Sequence, residues 1–304
     1  MLVHLALTHP ECQSSGMSET GAEPEVPLSG EWQELATGVY RLTTAPAAVN
    51  LGLIVGSDSA VLVDTGSTPA QGLAVRRSVA SVTDLPLSAV IVTHWHYDHA
   101  FGLAAFDDLV TIGHETVRDR ISSSEAAEAA TELGIDAGSL ALPNREIVLA
   151  AALDLGGDRR VEVAHIGRGH TEGDLVVVVP DAGVVFVGDL LESAGPPWFG
   201  ADSVPMEWAA TLDGVIGLMT PTVRAVPGHG EPVDREFVFN QRGEIAAVAG
   251  EIRRLVEAGV AQSAALSSGS WPYPEQHVAA GIAPGYGALS GLGVKGTRPT
   301  LPLA

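Results

Sequence analysis

Short apolar runs recur along the chain and are interrupted by a few stretches of helical periodicity, an order that favours an α/β protein. Residues 38–42, 51–55 and 60–63 predict strands, the last running into Asp64-Thr-Gly66. A helix is expected over 69–82, and a fully buried strand over 90–93. A short strand at 110–113 precedes a helix from His114 to about Leu133. After the break at Pro143-Asn144, strands are expected near 147–149 and 160–165, followed by a glycine-laced loop at 167–174. Two apolar runs, 175–179 and 184–187, are divided by the turn Pro180-Asp-Ala-Gly183. A helix at 206–219, a strand at 223–226, the loop Pro227-Gly-His-Gly230 and a long helix at 234–258 complete the pattern. Strands then a helix, twice over, predicts two packed sheets with helices outside them. Residues 1–30 lack periodicity and are expected to be a disordered leader. The folded domain is expected over 31–260, and 261–304, with repeated Pro and Gly, as an irregular C-terminal extension.

Chemistry enters where the strand at 90–93 delivers His94-Trp-His-Tyr-Asp-His99. Alternate residues of an extended segment share one side, so His94 and His96 can close on one cation. Once the chain turns, Asp98 and His99 point elsewhere and can reach a neighbouring cation. Imidazoles with a carboxylate suit zinc and, less well, iron or manganese. Three later residues share one local context, beside glycine or directly after an apolar strand: His170 in Gly-His-Thr, Asp189 in Gly-Asp, and His229 in Pro-Gly-His-Gly. His165, on an alternating strand, is read as structural, and His114 as a helix-start residue. Arg168 is expected to pair with an acid, Trp95 and Tyr97 to face the core, and Pro196-Pro-Trp-Phe-Gly200 to be either a substrate wall or a packing plug.

Composition narrows the partners. Of 304 residues, 46% are hydrophobic and 17% charged, enough apolar content for a sizeable core. The net charge of −21 opposes docking on nucleic acid or an anionic membrane, which leaves a small molecule as the expected partner. Cys12 is the single cysteine, so no disulfide forms within the chain. The apolar start at 1–10 lacks a basic segment and does not read as a secretory signal, so a cytoplasmic location is expected.

Asp64 in Asp-Thr-Gly, His-x-His-x-Asp-His at His94 to His99, His170, Asp189 and His229 together resemble the metallo-β-lactamase-fold hydrolase superfamily, over roughly residues 35 to 235. The resemblance implies a four-layer αββα sandwich of two packed mixed β-sheets flanked by helices. It implies two Zn²⁺: His94, His96 and His170 on the first, Asp98, His99 and His229 on the second, and Asp189 bridging them. A hydroxide held between the metals would attack a small ester-, thioester-, lactone- or lactam-type bond. Asp98 would act as the catalytic residue that orients it and passes a proton to the leaving group. Asp64 would lie beneath the site without touching metal. Many β-lactamases of this fold carry Cys or Ser at the bridging place and are exported, whereas Asp189 with Asp98-His99 intact resembles glyoxalase II and lactonases; the basic cluster a glutathione thioesterase would want is not found near the C-terminus. The alternative is an oxidoreductase resembling the persulfide dioxygenases of this fold, with one iron on two His and one Asp. The complete second set of ligands argues against it.

Overall fold

The computed structural model of the chain describes residue 28 and residues 30–290. The expected leader therefore lies almost wholly outside the described residues, as do Cys12 and the last fourteen positions of the C-terminal extension.

Seven strands form the first sheet in sequence order: β1 (Gln33–Ala36), β2 (Val39–Thr43), β3 (Asn50–Val55), β4 (Ala60–Val63), β5 (Leu87–Ile91), β6 (Val110–His114) and β7 (Arg145–Ile147). The pairs from β1 to β4 are antiparallel and those from β4 to β7 parallel. The second sheet contains β8 (Ala150–Asp154), β9 (Arg160–Ala164), β10 (Val176–Val179), β11 (Val184–Glu192) and β12 (Arg224–His229), in the order 12-11-10-9-8. Only β11 and β12 are parallel there.

All four residues of β4 are buried, as a strand covered on both faces requires. Val61 and Val63 face the second sheet, in one cluster with Val163, Val177, Phe186 and Val226. Leu62 faces the other way, toward helix α1 (Pro69–Ser78) and toward Phe101 and Phe106. A short helix, α2 (Tyr97–Ala100), follows the histidine motif, and α3 (Glu115–Ile121) and α4 (Ser124–Glu132) cover the same outer layer. The opposite layer is α5 (Pro205–Leu218) and α6 (Arg235–Glu257), whose Trp208, Leu212, Ile245 and Val248 pack on Val176, Val185 and Val187. Helix, sheet, sheet, helix is the expected four-layer order.

Two departures have local causes. The single helix expected after His114 is broken at Ser122-Ser123, where the Ser123 hydroxyl accepts from Ala126 N and starts α4 afresh. His114 itself closes β6 and caps α3 through Nδ1, which accepts from Thr116 N. The described part of the C-terminal extension, residues 261–290, carries three helices rather than being irregular: α7 (Gln262–Ser268), α8 (Glu275–Val278) and α9 (Ile282–Ser290). Pro274 caps α8 and Pro284 sits in the first turn of α9, where no intrahelical donor is lost. Their Val278 and Leu289 join the cluster under α5 and α6. No described helix is long and apolar enough to cross a membrane.

The sheets approach closely where Gly52 of β3 faces Phe186 of β11; a methyl group at Gly52 would lie 2.6 Å from the ring. Gly52→Ala is expected to destabilise the fold by about 1–3 kcal/mol, the usual cost of overpacking a core. The check is a lower urea midpoint at unchanged slope; an unmoved midpoint would contradict this contact.

Candidate metal centre

Every candidate ligand sits where a strand ends or a loop returns to the same end of the sandwich. Beyond β5 the chain bends from Thr93 to His96 rather than continuing extended, yet His94 and His96 are still presented together. Helix α2 then turns Asp98 and His99 to a different side. His170 comes from the loop between β9 and β10, Asp189 from within β11, and His229 from the last position of β12.

These seven residues assemble as two groups: His94, His96, His170 and Asp189, and Asp98, His99 and His229. In the first, His96 Nδ1 lies 3.1 Å from His94 Nε2 and 2.8 Å from His170 Nε2. In the second, His229 Nε2 lies 3.2 Å and His99 Nε2 3.8 Å from Asp98 Oδ2. Asp189 stands between them. Its Oδ2 is 3.4 Å from His170 Nε2 and 3.9 Å from His94 Nε2, while its Oδ1 is 3.1 Å from His99 Nε2 and 3.7 Å from His229 Nε2. Gly228 makes this possible, because a Cβ there would be 1.7 Å from Asp189 Oδ1.

The donor set fits metal ions. His99 Nε2 and Asp189 Oδ1 are buried and make no hydrogen bond, although they are 3.1 Å apart. Two groups that approach so closely without aligning as donor and acceptor suit a shared cation. Three ring nitrogens converging on the first position cannot all be satisfied by protons, but can all donate lone pairs to one ion.

The outward nitrogens of His94, His96 and His99 are held by partners that fix which atom faces inward. Asp64, buried at the end of β4 with φ of 61°, accepts from Thr93 N at 2.7 Å and Thr93 Oγ1 at 2.8 Å. It also accepts from His99 Nδ1 at 2.8 Å, which leaves Nε2 free. The Thr93 hydroxyl, having donated to Asp64, can accept from His94 Nδ1 at 3.1 Å. His96 Nε2 faces Asp202 Oδ2 at 3.1 Å, and Trp95 Nε1 donates to that same oxygen at 2.8 Å. After His170, the buried Asp174 accepts from both Thr171 N and Thr171 Oγ1, tightening the turn.

The two halves differ electrostatically. Burial holds His94 far below the usual imidazole range and takes His170 down to about 4, so both are neutral at pH 7. Burial pulls the same way on His96, His99 and His229, but nearby carboxylates outweigh it. Asp202 raises His96; Asp189, Asp98 and Asp64 raise His99 far above its ordinary value; and Asp98 with Asp189 takes His229 to about 9. Against burial, the imidazoles keep Asp98 and Asp189 below the usual carboxylate range.

Other expectations divide. His165 lies outside both groups, its ring 4.3 Å from that of His114 and its Nδ1 3.0 Å from the Asp174 carbonyl. Arg168 pairs with Glu207. Trp95 is buried in the core, whereas Tyr97, expected there too, is 38% exposed: α2 begins at Tyr97 and turns its ring off the strand's inner face. In the aromatic loop, Phe199 is a plug against Trp208 and Tyr273, and Trp198 is 51% exposed. Asp202 and Asp174 were not foreseen. Asp174 had a local signal, a carboxylate three residues after a loop Thr; Asp202 had none, since its partner is 106 positions away.

A family model described as the metallo-beta-lactamase superfamily matches residues 44–229. The chain is 29% identical over 153 residues to the metallo-beta-lactamase type 2 of Bacillus cereus, covering 50% of this chain and 55% of that protein. It thus spans about half the length of that relative. It is 25% identical over 255 residues to the human acyl-coenzyme A thioesterase MBLAC2, covering 72% of this chain and 89% of that one. Among solved structures, a metallo-beta-lactamase from Pontibacter korlensis superposes with a TM-score of 0.59 at 19% identity, over 72% of this chain and 99% of that one. The metallo-beta-lactamase FIM-1 from Pseudomonas aeruginosa, in a mono-zinc form, gives 0.58 at 21% identity over 74% and 97%. These likenesses in shape agree with the two-sheet architecture, and the family match spans the segment from Thr44 to His229 that carries all seven clustered residues. The chain belongs to the metallo-beta-lactamase superfamily.

Proposed function

We propose that the chain is a metal-dependent hydrolase that holds two zinc ions and cleaves a small ester-, thioester-, lactone- or lactam-type bond. One observation carries this reading: the two oxygens of Asp189 face different trios, Oδ2 toward His94 and His170 and Oδ1 toward His99 and His229. A carboxylate so shared is the connection a two-metal site needs. His94, His96 and His170 would hold the first ion and Asp98, His99 and His229 the second. Zinc ions there would supply a polarised carbonyl and a water whose pKa falls from about 15.7 to around 7.

The chain's own groups do the rest. Asp98, whose Oδ2 lies 3.2 Å from His229 Nε2, is placed to take a proton from the attacking water and return it to the leaving group. Asp64 and Thr93 engage Nδ1 of His99 and His94, so that Nε2 is the atom each ring would offer a metal once any proton there is displaced. A thioester is the first substrate class to try, because the thioesterase relative is matched along most of its length. The protein is expected to act in the cytoplasm on a small molecule.

The zinc-loaded protein is expected to hydrolyse at least one member of a screen of acyl thioesters, homoserine lactones and chromogenic lactams. His96→Ala should lower that rate by more than about 100-fold, since losing a ligand exceeds the usual cost of losing a ligand's supporting partner. Turnover that survives the substitution would overturn the assignment, and a single bound iron by metal analysis would favour oxygenation instead. Asp202→Ala should weaken the first zinc equivalent by about 10–100-fold through loss of the His96 support, read by chelator competition.

Metal uptake should also depend on pH unequally. In the metal-free protein His229 keeps its proton up to about pH 9 and His99 beyond the ordinary range, whereas His94 and His170 are already neutral at pH 7. A raised pKa means a proton that metal must displace, so the second equivalent should weaken faster than the first as pH falls below 9. Calorimetry in buffers of different ionisation enthalpy at pH 7 checks this: the second equivalent releases more protons, and equal release by both would contradict it.

A further inference from the structure

The backbone around His229 is held poorly by its own sheet. The β11–β12 ladder is regular only to Phe186↔Val226; the next pairs, Gly188↔Pro227 and Glu192↔His229, are each reached through a register shift. Glycines stand on both sides of the histidine, and Gly230 has φ of +93°. A segment of that kind can drift unless something else fixes it.

Just after β11, Ser193 donates its N–H to the His229 carbonyl and its hydroxyl to the Glu231 carbonyl, and the remaining hold comes from the other sheet. Asn50, at the start of β3 and 4% exposed, donates both amide hydrogens to this arch: Nδ2 is 3.0 Å from the Pro227 carbonyl and 2.7 Å from the Gly230 carbonyl. His229 lies between those two anchors. The neighbouring Val49 forms an antiparallel bridge with His229 itself. From β2, the buried guanidinium of Arg41 donates Nη1 to the same Gly230 carbonyl at 3.0 Å and Nη2 to the Glu231 carboxylate at 2.9 Å. Gln33 Oε1 accepts from Arg41 at 2.7 Å and the Thr43 hydroxyl lies 2.8 Å from Asn50 Oδ1, so both clamping side chains are themselves held. An Asn and an Arg buried between two sheets, spending their donors on one five-residue arch, form a built device.

We propose that Asn50 and Arg41 are positioning residues that keep His229 within reach of the second metal ion, and so set the affinity of that position independently of the first. The first trio does not use the clamp. His94 and His96 follow β5, and His170 is fixed by Asp174 and by the Gly169 N to Thr171 carbonyl bond. This inference rests on the two-metal reading above.

The test titrates zinc into the full-length metal-free protein by chelator competition, with cobalt(II) absorption as a second readout that does not depend on activity. In Asn50→Ala and Arg41→Met the second equivalent is expected to bind at least about 10-fold more weakly, and the first to stay within about 3-fold. The cobalt bands of the second equivalent should fade as they do in His229→Ala, and Arg41→Lys, which retains a cation and a donor, should recover part of the loss. Glu231→Gln, at a carboxylate 82% exposed, loosens the clamp without touching the core, so a smaller loss in the same equivalent is expected even where a core variant fails to fold. Wild-type binding of the second equivalent in all variants, or parallel weakening of both equivalents, would overturn the clamp alone. A wild-type protein that binds only one equivalent would overturn the two-metal reading and the clamp with it.

Discussion

Everything at this centre depends on one carboxylate being shared. Five imidazoles brought together in a buried space would either repel as cations or leave lone pairs unsatisfied, and each outcome opposes folding. Asp189 relieves both halves at once because its two oxygens face opposite trios. That requires β12 to run close beside it, and no residue with a side chain could occupy position 228 at that approach. The fold is thus arranged so that the second sheet carries the shared anion and the first sheet carries most of the imidazoles.

The two sheets also divide the labour of orientation. Asp64, Thr93 and the motif form one compact unit on neighbouring parallel strands β4 and β5, joined by hydrogen bonds of 2.7 and 2.8 Å. Strand β4 therefore does more than cover a core: its end puts an acceptor directly under His99. On the far side, Asp202 lies in the loop after β11 and reaches back to His96 and Trp95. The same loop has its start bonded to the His229 carbonyl through Ser193 N and its end to the Gly169 carbonyl through Val204 N. His96, His170 and His229 are consequently linked to one another through a segment that supplies none of the seven clustered residues.

What was readable in the sequence was what local patterning encodes. The buried runs of β4, β10 and the first half of β11, and the amphipathic α6 with Asp234 as its cap, declare themselves through hydropathy and capping residues. The seven clustered residues were legible because each follows an apolar strand or stands beside glycine. Edge strands were not: β1 and β8 expose much of their length, and Ala150-Ala-Ala-Leu-Asp154 has neither β-branched residues nor clear alternation. Helices α7 to α9 were masked by Pro and Gly that occupy caps and first turns rather than interiors. Asp202, Asn50 and Arg41 had no local signature, because each acts on a partner more than a hundred residues away.

The same contrast explains why the two halves of the centre should not behave alike. In the inner trio of His94, His96 and His170, burial holds His94 and His170 unprotonated, and only His96 is raised, by the single carboxylate of Asp202. The outer trio is made of rings that carboxylates hold protonated, and its last member stands on a glycine-flanked arch gripped from another sheet. Proton competition and backbone freedom therefore both act on the side of His229. An ion at the inner position would meet two rings, His94 and His170, that are already neutral at pH 7. An ion at the outer position must expel protons and depends on contacts remote in sequence, so any modulation of the centre by pH or by strain between the sheets acts there first.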